Sequence, residues 1–269
     1  MQEIDFGLTG KVAIVTGGGA HPEGVGNGSA AAIMLARAGA RIALVDIDEV
    51  AARRAHDLIV GEGGVAEVHH GDVGTEEDCR RVVTDIARQL GPPAVLVNNV
   101  GIAGPPGTAV DVDPDRWDDA MRINVKSMML MARFVIPYMI EAGGGSIVNM
   151  SSAAGLLGGH PAVTYATTKG AITQLTRTMA AQHGLQGIRV NCVAPGMVYT
   201  PMVRSRGMTD EMREIRRKRS LMQTEGTAWD VGSAVLFLAG DLARWVTGVT
   251  LPVDAGYSAG SHLPSPPRR

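Results

Sequence analysis

Residues 11–37 read KVAIVTGGGAHPEGVGNGSAAAIMLAR: a short aliphatic run, a glycine-rich turn, then an alanine-rich stretch with helical spacing. Comparable aliphatic runs recur at 41–45, 65–69, 94–97, 145–150, 187–193 and 249–253. Helical spacing fills 24–37, 75–89, 121–141 and 165–182 between them, and a further helix starts near Glu49. Parallel strands need crossovers, and helices that supply them cover both faces of the sheet, which explains strands apolar on both sides. The pattern predicts an α/β fold: a single-domain, doubly wound parallel sheet of about seven strands. No linker or fixed-period repeat interrupts the alternation, so residues 1–257 form one domain in this reading. Within it, residues 195–226 lack strand character and carry Met197, Met202, Met208, Met212 and Met222 among charges, as expected of a mobile lid; a surface helix pair is the alternative. The polar, proline-bearing tail 258–269 is expected to be disordered.

Composition narrows the function classes. The 269 residues are 45% apolar and carry 25 basic against 27 acidic side chains, a globular chain without the field that nucleic acid or an anionic membrane would require. Cys79 and Cys192 form no CxxC pair and read as reduced thiols of a cytoplasmic protein. The N-terminus has no basic region and the apolar run at 30–36 stops at Arg37, so neither a signal peptide nor a membrane span is expected. His69-His70 lacks the ligand spacing of zinc, and no metal site is expected. A small-molecule partner is the reading that remains.

A glycine turn between a strand and a helix suits a pyrophosphate, because the backbone comes close and free N–H groups at the helix start favour negative charge. The candidates are Gly17, Gly24, Val25 and Gly26, although strict GxGxxG spacing fails. Asp46 ends the second strand twenty residues beyond Gly26. A carboxylate there accepts from a ribose diol and repels a 2′-phosphate, which favours NAD over NADP. Asp48 is the better candidate for capping the following helix, which frees Asp46 for a ligand.

Tyr165 and Lys169, four apart on a helix, share a face, and a cation beside a phenol favours the phenolate. Ser152 follows the fifth strand, where open α/β sheets bind ligands. With the glycine loop, Asn98-Asn99-Val100-Gly101, Asn124 and Pro195-Gly196, these residues make the chain resemble the compact single-domain branch of the short-chain dehydrogenase/reductase family over nearly its whole length. Ser152 precedes Tyr165 by 13 residues and Asn124 precedes Ser152 by 28, both typical family spacings.

The resemblance implies an NAD-dependent oxidoreductase that interconverts a secondary alcohol and a ketone. Tyr165 would be the general acid/base, Lys169 would lower its pKa and hold the nicotinamide ribose, Ser152 would hydrogen-bond the substrate oxygen, and Asn124 would position a water. It further implies Asp72 and Val73 beside the adenine, Asn99 along the ribose, and Val198 and Thr200 at the carboxamide end. Two departures stand out: the TGxxxGxG loop is longer by His21-Pro22-Glu23, and Val100 replaces the usual alanine of NNAG.

Leu156, Leu157 and His160 lie in the segment that lines the family's substrate pocket. The basic run Arg216-Arg217-Lys218-Arg219, with Arg204, Arg206 and Arg213, reads first as a solvated face and second as attraction of an anionic substrate. Methionines at 121, 128, 129, 131 and 139 read as core or subunit contact, and relatives imply a homo-oligomer, a dimer or tetramer. The competing function is a non-catalytic NAD-binding sensor of the same fold, from which loss of catalytic residues would be expected; an epimerase or dehydratase would need a larger C-terminal region.

Overall fold

The computed structural model describes residues 5–205 and 207–261. Seven parallel strands, β1 (Val12–Thr16), β2 (Arg41–Asp46), β3 (Val65–His70), β4 (Pro93–Asn98), β5 (Gly145–Met150), β6 (Ile188–Pro195) and β7 (Thr250–Val253), lie in the order β3-β2-β1-β4-β5-β6-β7. The expected doubly wound sheet is present, with strand ends displaced by only one or two residues. Strand order reverses between β1 and β4, and a ligand crevice opens at such a switch point beyond the carboxyl ends.

Alternation along β1 divides the core. Ala13 and Val15 face a cluster completed by Ala31 and Leu35 of α1 (Asn27–Arg37), Ile59 of α2 (Glu49–Gly61) and, further along the sheet, helix residues Val231 and Val235. Val12 and Ile14 face the other layer, with Val82 and Ile86 of α3 (Glu76–Gln89) and a long helical run after β4. Local chemistry starts these helices. Asp48 accepts from the Ala51 N–H at 3.0 Å and Thr75 Oγ1 accepts from the Asp78 N–H at 3.3 Å, each meeting a donor the helix cannot satisfy.

The helix expected over 24–37 begins instead at Asn27, because His21 and Gly24 exchange backbone hydrogen bonds of 3.0 Å in a tight turn and Gly26 is the extended N-cap. The stretch expected as one helix over 121–141 is divided into α4 (Pro114–Met121), a π-helical turn (Arg122–Lys126) and α5 (Ser127–Glu141). A π turn inserts a residue and rotates the helix downstream of it, a device common at functional sites; here it contains Asn124. By length and composition this run could cross a bilayer, but Met128, Leu130, Met131, Val135 and Met139 are buried against the sheet. The methionine stripe therefore belongs in large part to the protomer core.

After β5 comes α6 (Val163–His183), and after β6 come α7 (Pro201–Arg204), α8 (Asp210–Lys218) and α9 (Ala228–Ala239). The segment expected as a lid thus contains two short helices, with Met202, Met212 and Met222 exposed rather than in the core. Order also extends past the expected domain edge: the Ser258 N–H donates to Asp254 at 2.9 Å, closing a turn after β7. Arg206 and the tail beyond 261 lie outside the described residues.

Candidate active site

A cleft of about 1430 Å³ lies at the switch point, larger than the roughly 300–1,000 Å³ of ordinary small-ligand pockets. Gly17, Gly26, Asp46, Asp72, Val73, Asn99, Ser152, Tyr165, Lys169, Val198 and Thr200 all line it. These residues, 17 to 200 in sequence, meet there because they lie at or after the carboxyl ends of six of the parallel strands.

At one end is the glycine turn. Gly17 has φ of +61°, a conformation that strains any side chain, and its carbonyl accepts from Asn99 Nδ2 at 2.9 Å. A Cβ on Gly26 would meet nothing within 4 Å, whereas one on Gly28 would run into the Gly17 carbonyl oxygen. Gly28 thus permits the helix to approach the turn, a role the shorter glycine reading missed. Gly24 and Val25 do not line the cleft: Gly24 closes the turn with His21, and Val25 packs on the core. The extra residues contact the lid, since Arg204 donates to the Glu23 carbonyl at 2.6 Å and its Nε lies 3.8 Å from the Glu23 carboxylate. The negative charge of the insertion is thereby countered.

Asp46 Oδ2 accepts from the Gly19 N–H at 2.9 Å and Oδ1 from the Asp48 N–H at 3.0 Å, while Asp48 caps α2 as expected. Asp72 turns toward its own loop and Arg122, at 3.4 Å. Asn98 and Asn99 tie different elements together. Asn98 Nδ2 donates to Asn149 Oδ1 on the neighbouring strand at 2.9 Å, and Asn99 holds the glycine turn.

At the other end α6 carries Tyr165 and Lys169. Lys169 is buried, its Nζ donates to the Met150 carbonyl at 3.0 Å, and burial pushes its pKa from 10.5 down to about 8. The ammonium lies 5.7 Å from the centre of the Tyr165 ring, and the His160 ring stands against the same phenol at 5.0 Å. His160 therefore belongs to the cleft wall. Ser152 reaches this helix through a 3₁₀ turn (Ala153–Gly155) that packs on α6 where a Cβ on Gly155 would lie 2.5 Å from the Lys169 carbonyl carbon. Gly155 is a second residue the sequence reading passed over. Its only signal was a glycine three residues after Ser152. Ser151, by contrast, donates to the Lys169 carbonyl at 2.7 Å and is structural.

Asn124 is fully buried behind the wall. Its Oδ1 accepts from the Ile102 N–H at 2.7 Å, and its Nδ2 donates to the Ile102 carbonyl and to Thr168 Oγ1 at 2.9 and 3.0 Å. This amide fixes the Gly101–Ile102 segment, where a Cβ at 101 would lie 3.2 Å from Lys169 Nζ. Among the described residues no three His, Cys, Asp or Glu side chains gather as a metal site.

The crevice thus brings a hydroxyl, a phenol and a desolvated ammonium to its wall at the switch point of a doubly wound sheet, an arrangement of the α/β oxidoreductase class. A family profile described as Enoyl-(Acyl carrier protein) reductase matches residues 18–258. The 2-(S)-hydroxypropyl-CoM dehydrogenase 3 of Xanthobacter autotrophicus is 38% identical over 256 residues, covering 94% of this chain and 98% of that protein. A crystal structure from Burkholderia xenovorans, assigned to the short-chain dehydrogenases/reductases, superposes with a TM-score of 0.89 at 37% identity, over 95% of this chain and 99% of that one. A 7α-hydroxysteroid dehydrogenase solved with NADH and 7-oxo glycochenodeoxycholic acid gives 0.87 at 33%, over 94% and 96%. The chain belongs to the short-chain dehydrogenase/reductase family. The residues present fit a nicotinamide dinucleotide: the space above Gly26 is open, and the buried Asn27 Oδ1 beside it has no hydrogen-bond partner within the described residues.

Proposed function

We propose that this protein is an NAD-dependent oxidoreductase that interconverts a secondary alcohol and a ketone, with Tyr165 as general acid/base. The observation that carries this reading is the buried Lys169 ammonium, held by the Met150 carbonyl 5.7 Å from the Tyr165 ring, with Ser152 on the same cleft wall. Buried charge without a carboxylate partner is expensive, and a phenolate that must form nearby is a reason to retain it.

In the oxidative direction the Tyr165 phenolate oxygen takes the hydroxyl proton of the alcohol. Lys169 stabilises that phenolate, and the Ser152 hydroxyl donates to the substrate oxygen, where charge gathers as the C=O bond forms. Asn124 acts on this geometry by fixing Ile102. Nicotinamide, when bound, supplies the two-electron acceptor for the carbinol hydrogen. The open turn at Gly17 and Gly26 would make room for the diphosphate and the Asn27 backbone N–H at the start of α1 would donate to it, while Asp46 would hold the adenosine ribose diol, Asp72 and Val73 the adenine side, Asn99 and Lys169 the nicotinamide ribose, and Val198 and Thr200 the carboxamide. Preference for NAD rests on the Asp46 carboxylate, and the NADH bound to the hydroxysteroid dehydrogenase is consistent with it. The same reading includes a homo-oligomer and a cytoplasmic setting.

The test is the absorbance of reduced nicotinamide with NAD or NADP and a panel of secondary alcohols. Activity with NAD that falls by about 10²- to 10⁴-fold in Tyr165→Phe is the expected result. Equal rates in the variant would overturn the assignment.

A further inference from the structure

The lid carries more positive charge than its own carboxylates absorb, and the surplus lies on one side. Arg213 holds Glu225 through two hydrogen bonds of 3.2 and 2.6 Å; Arg217 and Lys218 share Glu214; Arg204 meets Glu23. Arg216 and Arg219, three apart on the last turn of α8 and its C-cap, have no carboxylate within ion-pair distance among the described residues, and both line the cleft. Arg216 is half-buried, with one guanidinium N–H given to the Val198 carbonyl at 3.3 Å. Burial holds its pKa below the ordinary range, the Arg219 charge lowers it further, and Glu225, already occupied by Arg213, counters only in part. Arg219 donates to the Tyr257 hydroxyl oxygen at 2.8 Å and stands 5.1 Å from the centre of that ring, and Tyr257 also lines the cleft. The hydrogen of the Tyr257 hydroxyl is thus left to donate elsewhere.

Two neighbouring guanidiniums that repel each other, one of them partly desolvated, are unfavourable unless an anion completes them. Leu157, Met197 and Met202 give the same cleft apolar wall. We propose that Arg216 and Arg219, with the Tyr257 hydroxyl, form an oxyanion subsite, and that the substrate is a secondary alcohol or ketone carrying a carboxylate or sulfonate beyond an apolar spacer. This deepens, and rests on, the alcohol dehydrogenase reading. It also separates the basic run by role, because Arg217 and Lys218 face their own carboxylate and Arg216 and Arg219 face the cleft.

Two measurements keep the ideas apart. In calorimetric binding to the purified protein, hexane-1-sulfonate and hexanoate should each bind about 10- to 100-fold more tightly than hexanamide, the gain expected of charge-assisted hydrogen bonds. The order of the two anions separates a sulfonate site from a carboxylate site. Arg216→Gln/Arg219→Gln should abolish the preference, Arg216→Lys/Arg219→Lys should keep part of it, and Arg217→Gln should leave it intact. In turnover, the ratio of kcat/KM for 5-hydroxyhexane-1-sulfonate over 5-hydroxyhexanamide should follow the same order. Absence of the binding preference in the wild type, or its survival in the double Gln variant, overturns the subsite whether or not alcohols are oxidised. A binding preference without any turnover upholds the subsite and overturns the dehydrogenase reading.

Discussion

Replacing Lys169 by Met should have opposite effects on activity and on stability, and the stability effect should depend on pH in a way that can be calculated. The fold lowers the pKa of this ammonium from 10.5 to about 8 through burial, so folding shifts the balance against the charged form by about 3 kcal/mol compared with the unfolded chain. Below about pH 8 the lysine is charged both folded and unfolded, and the whole penalty is present. Between that pH and 10.5 the unfolded chain still binds the proton while the folded protein has released it. Stability of the wild type therefore gains about 1.4 kcal/mol per pH unit from this group, about 3 kcal/mol in all. A methionine of similar length has no such dependence, and removing the hydrogen bond to Met150 shifts its stability by a constant amount. Urea unfolding of both proteins, followed by circular dichroism at neutral pH and at about pH 10.5, should show the stability of Lys169→Met relative to wild type falling by about 3 kcal/mol. Titrating groups away from Lys169 cancel in the difference, and carrying Tyr165→Phe in both proteins removes the neighbouring phenol from it. Turnover should fall at least about 100-fold in the variant. A stability difference independent of pH over this range would refute the desolvated ammonium and with it the account of Tyr165.

Asp46→Ala should shift the ratio of NAD to NADP turnover toward the phosphorylated cofactor and lose about 1 kcal/mol of stability with the Gly19 and Asp48 hydrogen bonds; an unchanged cofactor ratio would confine Asp46 to the loop. Gly28→Ala should destabilise the fold by about 1–3 kcal/mol, since its Cβ meets the Gly17 carbonyl, whereas Gly26→Ala, with open space above it, should fold normally and weaken dinucleotide binding. Thermal unfolding together with cofactor titration distinguishes the two, and equal behaviour would contradict the packing described for this turn.

Periodicity and local caps carry their own physics, and so most of the architecture was legible in the chain. Seven apolar runs separated by helices specify a parallel sheet, Asp48 and Thr75 mark helix starts, and a spacing of four places Tyr165 and Lys169 on one face. The π turn at Asn124 and the late start of α1 at Asn27 were not legible, because each is imposed by segments distant in sequence or by a turn that an inserted tripeptide reshapes. The site divides in the same way. Sequence order supplied the serine, the tyrosine and the lysine, but the contact of Gly155 with α6 brings Ser152 to them, and burial makes the lysine charge costly. In the basic run 216–219 composition gave only a sum. Which guanidiniums meet carboxylates and which face the cleft depends on how α8 packs against Glu225, Val198 and Tyr257, and those partners lie up to 38 residues away along the chain.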